Sequence, residues 1–163
     1  MSEVMIQSDR LRLVLQTPEE VLAQIEAMSP ADKAEVSPDW LARVRASTLA
    51  DPWIHGFYIV DRVSGAVIGS CGYKGPPDPQ GVVEIAYRLE PDYQGRGYAT
   101  EAATALVDFA FGSDAVALIR AHTMPGNGAS ARVLTRCGFE QVGEVVDLED
   151  GLVLRWERAR EPA

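Results

Sequence analysis

The sequence predicts a single α/β domain built around a mixed sheet. Its 163 residues, 47% of them hydrophobic, suffice for one substantial core but are few for two domains. The spacing of the apolar residues changes along the chain between the two-residue period of strands and the longer period of helices. No internal repeat, low-complexity tract or linker interrupts this pattern, so we expect one domain over residues 1–163.

The first third of the chain predicts one strand followed by helices. Polar and apolar side chains alternate in the opening segment, as they do in a half-buried strand. Thr17 suits the cap of the first helix and Glu20 completes a capping box, whereas Ser29–Pro30 ends that helix. Ser37 precedes Pro38 as Thr17 precedes Pro18, so it also suits the cap of a helix. The predicted elements are a strand over 10–15, a helix from Pro18 to about Met28 and a helix from Pro38 to about Thr48.

The middle of the chain predicts three antiparallel strands in a meander. Three segments are rich in β-branched and aromatic residues, and two segments rich in turn-forming residues, 61–65 and 75–81, separate them. The predicted strands cover 57–60, 66–73 and 82–89. A helix over Ala99–Phe111 comes next, because its apolar residues fall on one face and Gly112 provides a stop.

The last third of the chain predicts a strand followed by a helix, and then two paired strands. A buried strand over 115–123 precedes a short helix over 129–137 that Gly138 closes. The closing strands, 139–146 and 152–158, pair across Glu149-Asp150-Gly151. The sequence therefore indicates an α/β (α+β) fold whose mixed sheet contains about seven strands.

Composition excludes several kinds of partner and location. The formal net charge of −9 and the sequence pI near 4.7 disfavour nonspecific binding to nucleic acid or an anionic membrane, and they tolerate a cationic partner such as an amine. No apolar run approaches the ~20 residues of a membrane-spanning helix, and residues 1–10 lack the pattern of a secretory signal. We expect a cytoplasmic protein.

The cysteine and histidine residues predict no metal site. Cys71 and Cys137 lie in apolar segments without a CxxC motif or a Cys/His cluster, so we expect buried thiols. His55 and His122 have no partner at motif spacing, and we interpret both as structural.

The most informative segment is a glycine-rich loop within EIAYRLEPDYQGRGYATE, residues 84–101. Gly95 and Gly97 allow the backbone to turn its N–H groups inward, and the helix that begins near Tyr98 adds a partial positive charge at its N-terminus. The loop lacks the GxxxxGK[ST] motif of a P-loop and the third glycine of a dinucleotide fingerprint. The pattern predicts an anion site, although a loop of purely steric origin is the alternative.

Three segments carry a resemblance to a known family. QGRGYA, residues 94–99, matches the Q/R-x-x-G-x-G/A pyrophosphate loop of the GNAT superfamily of N-acetyltransferases. NGASARVLTRCGF, residues 127–139, resembles the N-x-x-S-x-x-x-L-x-x-x-G-F segment of its ribosomal-protein N-terminal (alanine/serine) acetyltransferase branch, and residues 8–13 resemble the first strand of that branch. The resemblance covers nearly the whole chain but is loose over residues 21–58.

The resemblance implies the single-domain GNAT fold, with a mostly antiparallel sheet, helices on both faces and splayed fourth and fifth strands. It also implies acetyl-CoA as cosubstrate, with the pantetheine arm lying between the splayed strands and the Leu89 N–H as a donor to the oxyanion. No metal is implied. The cofactor-binding residues that it implies are Tyr87, Arg88, Leu89, Gln94, Gly95, Arg96, Gly97, Tyr98, Ala99, Thr100, Asn127 and Ser130.

Catalysis would need a base for the acceptor ammonium and a proton donor for the leaving thiolate. Glu84 is the candidate base, because it is the acidic residue of an apolar strand, and an outward-facing strand carboxylate is the alternative. The position where many family members have a tyrosine acid is Leu134 here, which leaves Ser130 as the candidate acid. Asn127 and Ser130 also suit helix caps.

The acceptor pocket is expected to draw on Trp40, Trp53, Tyr58, Tyr73 and Lys74, although core packing explains large aromatic residues as well. The resemblance implies direct transfer of acetyl to a primary amine through a ternary complex. It favours a protein N-terminal α-amine over a small-molecule amine. A non-catalytic acyl-CoA-binding or sensing module is the alternative, and a nucleotide-binding regulator is a third hypothesis. A homodimer is expected by analogy alone.

Overall fold

A computed structural model describes residues 5–147 and 151–161 as one eight-stranded mixed sheet with five α-helices. The strands are β1 (Met5–Gln7), β2 (Leu11–Leu15), β3 (Phe57–Asp61), β4 (Val67–Tyr73), β5 (Val82–Leu89), β6 (Leu118–Thr123), β7 (Glu140–Asp147) and β8 (Gly151–Ala159). The helices are α1 (Pro18–Glu26), α2 (Pro30–Glu35), α3 (Pro38–Ala46), α4 (Tyr98–Phe111) and α5 (Gly128–Arg136). The strand order across the sheet is β1-β2-β3-β4-β5-β6-β8-β7.

The fold confirms the predicted class and most predicted elements. The strands β3, β4 and β5 form the expected antiparallel meander, and β5 pairs in parallel only with β6. Thr17 forms the expected capping box with Glu20 at the start of α1. The chain returns from β7 to β8 with Asp147 opposite Gly151, while Glu149 and Asp150 of the predicted turn lie outside the described residues.

Two elements differ from the prediction. An additional strand, β1, has three residues and pairs with β2, so the sheet has eight strands where about seven were expected. The segment after Ser29 forms α2, although Ser29–Pro30 was interpreted only as a helix end. The Ser29 hydroxyl accepts a hydrogen bond from the Asp32 N–H at 3.2 Å, so the residues that stop α1 also cap the next helix.

The main core lies between the sheet and the helix α4. Alanine-rich α4 buries Ala102, Ala103, Leu106, Val107 and Ala110, and the alanines let the helix approach the strands closely. The helix α4 also packs against α5. A second, smaller core joins α1 to α3, in the region where the family resemblance is loose.

The sheet splits between β5 and β6. These are the fourth and fifth predicted strands, which the resemblance implied would splay, because β1 was not among the predicted strands. The parallel ladder joins Val82, Val83 and Glu84 to β6 and ends there, whereas β5 stays paired with β4 as far as Leu89. The Lys74 N–H donates to the Glu84 carbonyl at 2.9 Å, so the even-numbered residues of β5 turn their peptide groups toward β4. The odd-numbered residues, including Tyr87 and Leu89, consequently turn theirs toward the opening.

Candidate active site

A cleft of about 480 Å³ opens at the split, between the end of β5, the loop before α4, and α5. It brings together all of the predicted cofactor-binding residues except Arg96 and Tyr98. Its lining residues are Tyr87, Arg88, Leu89, Gln94, Gly95, Gly97, Ala99, Thr100, Asn127, Ala129, Ser130, Arg132, Val133 and Arg136. Ten of the twelve residues predicted to bind the cofactor therefore line one cleft.

The loop before α4 has the backbone that an anion site requires. Gly95 and Gly97 have φ angles of 76° and 84°, in the left-handed region that favours glycine. Gly97 caps α4, and the Glu101 N–H is the first of the helix to bond back, to the Gly97 carbonyl at 3.1 Å. The N–H groups of the first turn thus lack intrahelical acceptors, and they lie at the positive end of the helix dipole.

Arg96 and Tyr98 do not line the cleft, and the Arg96 guanidinium lies 5.8 Å from the centre of the Tyr93 ring. The Arg10 guanidinium stacks 4.2 Å from the centre of the Tyr98 ring, and its Nη1 donates to the Arg96 carbonyl at 3.1 Å. Arg10 also donates from Nε to Glu101 at 2.8 Å. The two residues therefore connect the loop to Arg10 and do not line the cleft with their side chains.

Sequence analysis missed two basic residues of the cleft, Arg132 and Arg136. They stand four residues apart on α5, so both lie on one face of that helix. Their cationic side chains complement the loop as partners for an anionic ligand. The i, i+4 spacing of two arginines was the signal available in the sequence.

Asn127 caps α5, which is the alternative role considered for it, and Ser130 lies in the first turn of that helix. The Asn127 side chain accepts from the Ser130 N–H at 3.1 Å and caps α5. Burial raises the pKa of Tyr87, on the facing strand, above its usual value, and the nearby Ser130 hydroxyl opposes part of that rise. Leu134, at the position of the usual tyrosine, is fully buried.

Glu84 lies where β5 and β6 part, because it is the last β5 residue in their ladder. Its Oε2 accepts from Nδ1 of His122 at 2.9 Å and forms an ion pair with Lys74, whose Nζ lies 3.0 Å away. The Arg155 Nε–H donates to Nε2 of His122 at 3.1 Å, so the ring proton lies on Nδ1 and points at the carboxylate. Within residues 5–147 and 151–161, Oε1 of Glu84 accepts no hydrogen bond. His122, interpreted from sequence as structural, is therefore a partner of the candidate base.

A larger cavity, of about 720 Å³, lies beside the cleft and shares Tyr87 and Arg88 with it. Of the five pocket candidates, Trp40, Tyr73 and Lys74 line this cavity. The other two do not, for reasons of packing. Trp53 packs in the aromatic core, with its ring centre 4.7 Å from that of Tyr73, and Tyr58 donates its hydroxyl proton to Glu20 at 2.9 Å.

The buried polar groups near the large cavity include His55, which is 2% exposed. Its Nδ1 accepts from the Asp51 N–H at 2.8 Å, and this hydrogen bond fixes the loop before β3. Cys71 and Cys137 are buried, as predicted, and burial raises the pKa of both thiols. In the described part of the chain, no group of three His, Cys, Asp or Glu side chains is placed to hold a metal ion.

Comparison with protein families matches residues 6–140 to the acetyltransferase (GNAT) domain. The "Uncharacterized N-acetyltransferase p20" of Bacillus licheniformis is 33% identical over 93 residues, which are 57% of this chain and 52% of that protein. "Uncharacterized N-acetyltransferase YjdG" of Bacillus subtilis is 32% identical over 89 residues, 55% of this chain and 51% of that protein. The chain thus spans about half the length of these relatives. No helix among the described residues is long and apolar enough to cross a membrane.

Solved structures share the fold over nearly the whole chain. A GNAT-family acetyltransferase from Bacillus anthracis superposes with a TM-score of 0.68 at 19% identity, covering 96% of this chain and 98% of that one. The ribosomal-protein-S5-alanine acetyltransferase of Vibrio fischeri gives 0.67 at 19% identity, covering 96% and 97%. AAC(6')-Ib in complex with ribostamycin and coenzyme A gives 0.64 at 23% identity, covering 93% and 94%.

Proposed function

Because the chain belongs to the acetyltransferase (GNAT) domain family, we propose that it transfers the acetyl group of acetyl-CoA directly to a primary amine, with Glu84 as the base. The observation that carries this proposal is the position of Glu84. Its carboxylate lies where β5 and β6 part, with one oxygen oriented by His122 and the other without a partner in the described chain. Such a carboxylate can accept a proton from the acceptor ammonium.

The cleft suits the chemistry of acetyl-CoA. The N–H groups at the start of α4, together with Arg132 and Arg136, form a cationic surface for a pyrophosphate. The peptide groups of Tyr87 and Leu89, turned toward the opening, are donors and acceptors for the amides of the pantetheine arm. Arg88 turns its peptide group toward β4 instead, so we assign it no backbone contact. When bound, acetyl-CoA supplies an activated thioester carbonyl.

Each step of the transfer falls to a residue near the split. Glu84 accepts the proton of the acceptor ammonium at Oε1, which leaves a neutral amine as nucleophile. The Leu89 N–H polarises the thioester carbonyl and stabilises the developing oxyanion. The Tyr87 phenol, close to the Ser130 hydroxyl, protonates the departing thiolate. Tyr87 and Ser130 would together take the role of the tyrosine acid that many family members have at the position of Leu134.

For the acceptor, we propose a protein N-terminal α-amine, with a small-molecule amine as the alternative. The Vibrio fischeri neighbour is by its name a ribosomal-protein acetyltransferase, and this supports the first class. The complex of AAC(6')-Ib with ribostamycin keeps the second class open. We also propose a cytoplasmic location, and a homodimer that light scattering would detect.

Calorimetric titration with acetyl-CoA, coenzyme A, ATP and NAD tests the cleft, and an assay of thiol release tests transfer. We expect saturable binding of acetyl-CoA and coenzyme A, and thiol release with peptides that carry a free N-terminus. Tight binding without product across peptides, polyamines and aminoglycosides would instead favour the acyl-CoA-sensing module. Failure to bind acetyl-CoA would refute both.

A further inference from the structure

Lys74 is held against the candidate base by two separate contacts. Its Nζ lies 3.0 Å from Oε2 of Glu84, and its backbone N–H donates to the Glu84 carbonyl at 2.9 Å. The second contact continues the β4–β5 ladder past Tyr73, so the start of the side chain has a fixed position. The side chain itself is 57% exposed, and its four-carbon stem is free to rotate.

The position of Lys74 also relates it to the cleft. Lys74 lines the large cavity, and that cavity shares Tyr87 and Arg88 with the cleft proposed to bind acetyl-CoA. An ε-amine beside the proposed base, in the cavity that Trp40 and Tyr73 of the predicted acceptor pocket also line, has the features of an acceptor. The proposed site thus contains a primary amine of its own.

We propose that Lys74 is a self-acetylation site, modified by the protein's own transfer reaction when no external amine occupies the large cavity. The inference depends on the proposed function. Glu84 takes one proton from the Lys74 ammonium, and the neutral Nζ forms a bond to the thioester carbonyl carbon. As the carbon–sulfur bond breaks, the second proton lost by nitrogen goes to the thiolate. The products are Nε-acetyl-Lys74, coenzyme A and one proton released from Glu84.

Acetylation would change the site in two ways. The amide carries no charge, so the ion pair between Lys74 and Glu84 is lost and the carboxylate keeps His122 as its partner. The added acetyl group also occupies part of the large cavity. Both changes alter the acceptor end of the site and leave the loop before α4 as it is. We therefore expect slower transfer to external amines with unchanged affinity for coenzyme A.

The chain contains a matched internal control, because Lys33 is its one other lysine. Lys33 lies on α2, 4.0 Å from Glu26, and lines neither the large cavity nor the cleft. The test incubates the purified protein with acetyl-CoA and no amine, and follows both lysines by peptide mass spectrometry. We expect Lys74 to be acetylated at least about tenfold faster than Lys33, because a positioned amine reacts at a high effective concentration.

Three further arms separate the possible explanations. Glu84→Gln should lower the Lys74 rate to that of Lys33 and leave Lys33 unchanged. The half-time of Lys74 acetylation should not depend on protein concentration, as expected for an intramolecular step. Lys74→Arg keeps a cation beside Glu84 and should show acetylation at Lys33 alone.

Equal rates at the two lysines would overturn the inference, and so would a half-time that shortens as the protein is concentrated. If wild-type protein acetylates an added amine while Lys74 stays unmodified, the inference fails and the proposed function stands. If calorimetry detects no binding of acetyl-CoA, both fail. Because no external acceptor is needed, selective acetylation of Lys74 would support the proposed function before its substrate is known.

Discussion

His122 and Glu84 are 38 residues apart in sequence, yet Nδ1 of the histidine donates to Oε2 of the glutamate across 2.9 Å. The contact arises because the parallel register of β5 and β6 places Glu84 opposite Arg120, two residues before His122. Arg155 occupies the other ring nitrogen. His122 thus orients the Glu84 carboxylate.

Replacing Glu84 by glutamine tests the base directly. We expect kcat to fall by roughly 10²-fold or more, the usual contribution of a positioned base, with the affinity for acetyl-CoA unchanged. Steady-state kinetics over pH and calorimetry provide the two measurements. Glu144→Gln, on the exposed face of β7, is the matched control and should behave as wild type. Full activity of Glu84→Gln at all pH values would show that the assignment is wrong.

His122→Phe removes the group that orients Glu84 while filling a similar volume. We expect kcat to fall by about tenfold, because Oε2 loses a donor and the carboxylate is less constrained. The double variant with Glu84→Gln should be no slower than Glu84→Gln alone, since both changes act through one unit. Additive losses in this cycle would instead indicate that His122 acts independently of Glu84.

Tyr87→Phe deletes the phenol that we assign to protonation of the thiolate. Because burial raises the pKa of Tyr87, its acid form persists to higher pH than that of an ordinary tyrosine. We expect kcat to fall by roughly 10²-fold, as for other positioned proton donors, while coenzyme A still binds. Tyr93→Phe is the control, because Tyr93 packs on Tyr98 outside the cleft. Unchanged kcat in Tyr87→Phe would return the acid role to Ser130 or to water.

Arg10→Met tests whether Arg10 supports the glycine-rich loop before α4. The Arg10 guanidinium holds the Arg96 carbonyl and the Tyr98 ring, so its loss should loosen the loop and weaken coenzyme A binding by about three- to tenfold, the loss of roughly one hydrogen bond. We expect kcat at saturation to be retained. Arg62→Met is the control, because Arg62 donates to Ser8 without touching the loop. A fall in kcat with unchanged affinity would contradict this role.

The lowered pKa of Glu101 predicts that part of the free energy of unfolding is lost at acid pH. Burial alone would raise its pKa, but hydrogen bonds from Ser8 and Arg10 and the Arg10 charge bring it below the usual 4.5. A group whose pKa is lowered on folding stabilises the protein above its unfolded pKa, and this stabilisation is lost as the pH falls through its folded value. Glu101→Gln should therefore unfold more readily than wild type at pH 7, with the difference shrinking below pH 4.5. Denaturant melts at several pH values measure it, and a constant difference would count against the explanation.

Sequence reasoning succeeded where the signals are local. The Thr17 capping box, the two glycines before α4 and the alternation within β5 each involve residues within a few positions of one another. The three-residue β1 is too short for a period to show. The segment after Ser29 was missed because Ser–Pro both ends one helix and begins the next.

The candidate site was harder to predict because its pairs are distant in sequence. His122 meets Glu84 through the register of β5 and β6, which no spacing in the sequence discloses. Trp53 and Tyr58 were expected at the acceptor pocket, yet the aromatic core and the polar residues of α1 hold them elsewhere. The family resemblance indicated the residues that line the cleft, and side-chain geometry was needed to identify the partners of Glu84, the proposed base.

Because side chains alternate between the two faces of β5, the number of residues between Glu84 and Tyr87 must stay fixed. Side chains of even-numbered residues lie on the face of Glu84, while Val83, Ile85 and Leu89 are buried on the other. Inserting or deleting one residue after Glu84 would exchange the two sets, turning the Tyr87 phenol away from Ser130 and its peptide group toward β4. Homologues with the same chemistry should therefore vary in loop lengths on either side of β5 while keeping this three-residue interval constant.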